Sequence, residues 1–116
     1  MLYFPLYSSY KKVSMDETKE KFCIQKTVKI IGTKWTILIL RELCNGTKRF
    51  GELEKNLTGI SSKTLSVRLK ELEKNKILTK KIYPTIPPKV EYSLTKKGES
   101  LRAILLSMYD WGEKYS

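Results

Sequence analysis

The stretch from Phe50 to Asn75, FGELEKNLTGISSKTLSVRLKELEKN, constrains the fold more than any other part of the chain. Phe50, Leu53 and Leu57 recur at spacings of three and four, and Leu65, Leu69 and Leu72 at four and three. Each set marks one apolar face of a helix. The spacing predicts helices over residues 50–57 and 62–75. Between them Thr58-Gly59-Ile60 forms a three-residue turn with glycine at its bend, and Ser61 is suited to cap the second helix.

The flanking segments add a core and a hairpin. Ile24, Val28 and Ile31 line one face of a short helix that starts near Cys23, after the charged lead-in DETKEK at 16–21. Thr33 can cap a helix over residues 34–44 with the stripe Trp35, Leu38, Ile39 and Leu43; Ile37 and Leu40 make it apolar nearly all round, which suits the centre of a domain. Asn45-Gly46 ends it. Residues 77–83 and 89–94 read as strands. The second alternates, with Val90, Tyr92 and Leu94 on one face. The prolines at 84, 87 and 88 make the loop between them stiff. Thr95 can cap a last helix over residues 96–114. Its stripe of Leu101, Ile104, Leu105, Met108 and Trp111, with Leu106 and Tyr109 beside it, is more apolar surface than one small domain readily covers, so it reads as a partner-binding face.

The chain has 116 residues, enough for one compact domain, and no internal repeat. Lys and Arg number 23 against 12 acids, a formal charge of +11, which points to a polyanionic partner. The excess is concentrated: residues 41–81 hold 11 Lys/Arg and 5 acids, residues 96–116 hold 4 and 3. There is no His, which removes the commonest metal ligand and proton-transfer group. Cys23 and Cys44 lie 21 residues apart without a second Cys/His pair, so no zinc site is readable and no metal or cofactor is expected. Two Cys in a Lys-rich chain fit a reducing cytoplasm better than a disulfide scaffold. The longest apolar run, 35–40, is far shorter than the ~20 residues of a membrane span. Residues 1–14 are aromatic, lack helical spacing and place their lysines after the apolar stretch, unlike a signal peptide. They read as an N-terminal arm extending to residue 22, or as sequence upstream of a natural start at Met15.

Two helices joined by a tight turn and followed by a hairpin make a winged helix-turn-helix, a mainly helical fold with a small β-hairpin. The DNA major groove is about 12 Å wide and admits one helix, so the second helix needs an apolar face for the core and a polar face for the groove. With Leu65 at zero and ~100° per residue, Leu69 and Leu72 fall within about 40° of it, and Lys63, Val67, Lys70 and Lys74 fall opposite. Ser61, Ser62, Lys63, Thr64, Ser66, Val67 and Arg68 are the candidates near bases, with Arg68 at the edge of the core face. Val67 suits a thymine methyl and Arg68 a guanine or a phosphate. Lys70 and Lys74 suit phosphates. So do Lys48 and Arg49 at the start of the first helix, and Lys89, with Lys80 and Lys81, on the wing.

The stretches IGTKWTILILREL (31–43), RFGELEKNLTGISSKTLSVRLKELEKN (49–75) and IPPKVEYSLTKKGESL (86–101), with a late Trp-Gly at 111–112, resemble the HxlR-type family of bacterial winged-helix regulators over residues 23–114. The resemblance implies a homodimer formed by the first and last helices, through Ile24, Val28, Leu101, Ile104, Leu105, Met108 and Trp111. It further implies binding to an inverted repeat in double-stranded DNA, as a repressor or an activator. Two departures stand out: Lys76 replaces the family's usual Gly after the recognition helix, and Ile24 replaces a common Pro after the N-terminal Cys. In some members that Cys is a redox or electrophile sensor. Cys23 fits either that role, near a helix start between Lys21 and Lys26, or a small packed residue at the dimer contact. Cys44 reads as core.

The competing class is an architectural or assembly protein that coats DNA without sequence preference. A helix face mixing Ser, Thr and Val with its cations favours sequence-specific regulation, because a purely electrostatic binder needs only Lys and Arg. An enzyme is not expected: no Gly-rich phosphate loop or paired carboxylates in a cleft can be read from the chain. The last helix lacks the basic polar face of a membrane-surface binder.

Overall fold

A computed structural model describes residues 18–116, with side chains from Phe22 onward. The expectation about residues 1–14 lies outside the described residues. The chain divides into two units, one ending at Gly32 and one spanning Thr33–Ser116.

In the first unit, helix α1 runs from Thr18 to Ile31. It begins five residues before Cys23, inside the segment expected to be an arm. The polar run preceding Cys23 carries no apolar period, so the helix start left no trace in the pattern. Phe22, Ile24 and Val28 are exposed on it.

The second unit is built as α2 (Lys34–Cys44), β1 (Lys48–Arg49), α3 (Phe50–Asn56), α4 (Ser62–Lys74), β2 (Leu78–Tyr83), β3 (Lys89–Leu94), α5 (Lys96–Glu99) and α6 (Arg102–Tyr115). Helix α2 starts at its expected cap: the Thr33 hydroxyl accepts from the Thr36 amide at 3.1 Å. It buries Thr36, Ile39, Leu40 and Leu43, while Trp35 and Leu38, expected in the core stripe, are half-buried. The core is completed by Leu53 and Leu57, by Leu65, Leu69 and Leu72 of α4, and by Ile77, Leu78 and Tyr92 of the sheet region. Phe50 is only half-buried, contrary to its place in the apolar stripe, because it opens α3 beside the sheet.

The sheet has three antiparallel strands in the order β1-β3-β2. The hairpin β2–β3 matches expectation; β1 does not appear in the sequence pattern. Lys48 pairs with Tyr92 and Arg49 with Glu91, so the two residues leading into α3 are strand residues. The expected last helix is broken at Ser100-Leu101, where the Leu101 amide closes a tight turn onto the Gly98 carbonyl at 3.0 Å. Gly98 lies so close to the sheet region that a Cβ would stand 2.1 Å from the Ile77 carbonyl oxygen. Helix α6 has no buried residue. Ile104, Leu106, Met108, Tyr109, Trp111 and Tyr115 are exposed on it.

Candidate nucleic-acid interface

Helices α3 and α4 are held by a short turn in which Gly59 has φ +94° and the Ile60 amide donates to the Leu57 carbonyl at 3.1 Å. The far end of α4 is closed equally firmly. The Ile77 amide donates to the Leu72 carbonyl at 2.9 Å and the Lys76 amide to the Glu73 carbonyl at 3.0 Å, the paired bonds of a Schellman motif, with Leu72 and Ile77 both buried. Lys76 takes the left-handed position with φ +61°. The segment opening α5 reinforces this end: the Lys97 ammonium donates to the Asn75 carbonyl at 2.9 Å and the Thr95 hydroxyl to the Lys76 carbonyl at 2.6 Å.

The burial of α4 follows the expected wheel. Leu65, Leu69 and Leu72 are buried, and Lys63, Val67, Lys70 and Lys74 all stand exposed on the other side. Thr64 and Ser66 are half-buried at the flanks. Four of the expected base readers, Ser61, Ser62, Thr64 and Arg68, are engaged within the protein. The Ser61 hydroxyl accepts from the Thr64 amide at 3.1 Å and donates to the Thr64 hydroxyl at 3.0 Å, so it serves as the helix cap. The Ser62 hydroxyl donates to the Glu54 carboxylate of α3. The Arg68 guanidinium donates to Glu71 at 2.9 Å, and its Nε is buried with no hydrogen-bond partner among the described residues. The residues left open toward a groove are Lys63, Val67, Lys70 and Lys74.

Glu54 was not singled out from the sequence. Its role depends on a contact across the turn, which no local pattern encodes.

The expected anion site at the start of α3 is altered. Arg49 is the cap residue of that helix, and its amide donates to the Glu52 carboxylate at 2.8 Å. The helix start is already met by its own acid, and Lys48 is half-buried in β1. On the wing, Lys89 lies 3.3 Å from Glu91, and the Tyr83 hydroxyl donates to the same carboxylate at 3.0 Å. The Tyr83 hydrogen bond holds the Glu91 carboxyl below its ordinary range; burial opposes it, and Lys89 and Arg49 add smaller contributions in the same direction as Tyr83.

Both cysteines are free thiols. Cys23 is exposed but sits in the second turn of α1, not at its N-terminus, so the helix-end argument for an activated thiol does not apply there. Cys44 is half-buried at the end of α2, consistent with packing, and burial pushes its thiol up despite the nearby Arg102.

A paired helix unit with a capped, cation-faced second helix and an adjoining β-wing defines a winged helix-turn-helix. The family described as HxlR-like helix-turn-helix matches residues 30–116, and the chain belongs to that family. It is 41% identical over 108 residues to the HTH-type transcriptional regulator YdeP of Bacillus subtilis, covering 90% of this chain and 84% of that one. Among solved structures, the redox regulator HypR in its oxidized form superposes with a TM-score of 0.76 at 38% identity, over 80% of this chain and 96% of that one. The reduced form of the transcriptional regulator YodB from B. subtilis superposes with a TM-score of 0.72 at 37% identity, over 87% and 95%.

Proposed function

We propose that this protein is a cytoplasmic, sequence-specific transcriptional regulator that binds an inverted-repeat operator as a homodimer. The observation that carries the reading is the free face of α4, where Val67 stands between Lys63 and Lys70 above a fully buried leucine face. A valine among the cations offers a contact for a thymine methyl, which an architectural coat has no need of. The regulators among its relatives support the same reading. Dimerisation would use the exposed Ile24 and Val28 of α1, together with Leu101, Ile104, Leu105, Met108 and Trp111 around α6.

Sequencing of genomic fragments retained by the reduced protein at physiological salt tests this. Enrichment of a few inverted repeats, with half-sites about 34 Å apart or slightly more, is the expected result. Retention of fragments without a motif would identify a non-specific architectural binder instead.

Thiol-responsive control is a second reading, favoured by the exposure of Cys23 and by the redox regulator among the structural neighbours. Diamide or a quinone is expected to weaken operator binding in the wild type and leave Cys23→Ser unaffected. Equal sensitivity in both would rule out the sensor role.

A further inference from the structure

We propose that the crevice between α4 and the sheet, lined by Ser66, Lys70 and Lys80, seats a backbone phosphodiester of bound DNA. The inference rests on the DNA-binding reading and moves the wing's main phosphate contact from Lys89 to Lys80.

The argument begins with strand alternation, which sends Lys80 and Lys81 to opposite faces of the sheet. Lys81 is opposite Glu91, which in turn is opposite Arg49, so these three share one face. Lys89 and Tyr83 are paired in the next row of that face. There the two wing lysines are already engaged. Lys89 pairs with Glu91 at 3.3 Å, and Lys81 and Lys89 each lie 4.9 Å from the centre of the Tyr83 ring. One carboxylate holds Lys89 and one aromatic ring holds the ammonium groups of Lys81 and Lys89 in place on that side.

The other face differs. Lys80 is opposite Tyr92, which is buried, and this side lies against the recognition helix. A crevice of about 60 Å³ opens there, lined by Ser66, Leu69, Lys70, Glu73, Lys80 and Tyr92. That is room for about two waters, each with a share of about 30 Å³, and well below the ~300 Å³ or more of a small-molecule pocket. It suits the oxygens of an anionic group. Lys70 and Lys80 have no ion-pair partner among the described residues. Two lysines and a serine lining one small opening can supply donors and charge for a phosphate. Glu73 is the opposing group: burial first, and this carboxylate second, push the Tyr92 hydroxyl up. A phosphate seated here would feel the same negative charge.

The test is the salt dependence of binding of the full chain to a random-sequence duplex and to the selected operator. K80Q and K70Q are each expected to lower the slope of log K against log salt, and the double variant by about 0.9, the value for one lost phosphate contact. Both should weaken the two duplexes alike, with K80R restoring the slope. K89Q should lower the slope less than K80Q does. E73Q should tighten binding about two- to fivefold, the size of an exposed charge interaction. Unchanged thermal midpoints would show that all variants fold. A wild-type slope in K80Q, or a slope lowered more in K89Q than in K80Q, overturns the assignment. Failure of the wild type to bind either duplex would instead overturn the DNA-binding reading itself.

Discussion

Lys76 is a lysine in a conformation that suits glycine, at φ +61°. The left-handed region costs an L-residue about 1–2 kcal/mol, and glycine gives back part of the gain through its freer unfolded chain, about 0.4–1 kcal/mol. K76G is therefore expected to stabilise the domain by roughly 0.5–1 kcal/mol, read from urea denaturation. The two cysteines offer a second test at this scale. Cys23 is exposed, and burial holds the half-buried Cys44 thiol protonated beyond its ordinary range. Maleimide at neutral pH is expected to label Cys23 well before Cys44, as peptide mapping would report. Glu91 supplies a pH test. Its carboxyl is held below the ordinary carboxyl range in the folded state. Its contribution is thus complete above about pH 5 and disappears as pH falls through the depressed folded value. The difference in thermal midpoint between wild type and E91Q should shrink on acidification, and a difference that grows would contradict the network.

Among the elements, those with local signals were legible and those made by distant contacts were not. Thr33 and Ser61 announce α2 and α4 because a hydroxyl cap lies directly before each apolar period. β1 has two residues, too few to alternate, and exists because β3 offers a free edge. The break between α5 and α6 was equally invisible, since it follows from the approach of Gly98 to the Ile77 carbonyl, 21 residues away in sequence. The candidate interface divides in the same way. The outward positions of α4 follow from its period, whereas the engagement of Ser62 by Glu54 and of Lys89 by Glu91 depends on pairing between elements. G98A tests the close approach: a methyl group has no space there, and a loss of about 1–3 kcal/mol is expected in chemical denaturation.

At the scale of the whole molecule, the exposed apolar surface of α6 is where the proposed dimer can be tested. Six large side chains, among them Ile104, Met108 and Trp111, are exposed along one 14-residue helix. If a second copy covers them, Ile104→Glu combined with Trp111→Glu should yield a monomer in analytical ultracentrifugation. That monomer should keep its affinity for a single half-site and lose about 10²–10⁴ in affinity for the inverted repeat, the usual contribution of linking two binding events. A dimer that survives both substitutions would place the interface elsewhere.

The hydrogen bonding of β1 to β3 has a mechanical consequence. The wing is stitched to the strand that leads into α3, the turn fixes α3 to α4, and Lys97 with Thr95 clasps the far end of α4. The reading head is a closed frame with few soft joints. A signal has little to bend inside it. In the dimer proposed above the remaining lever would be the gap between two such heads, and a switch there would work as a caliper, setting whether the pair spans one turn of the double helix or misses it.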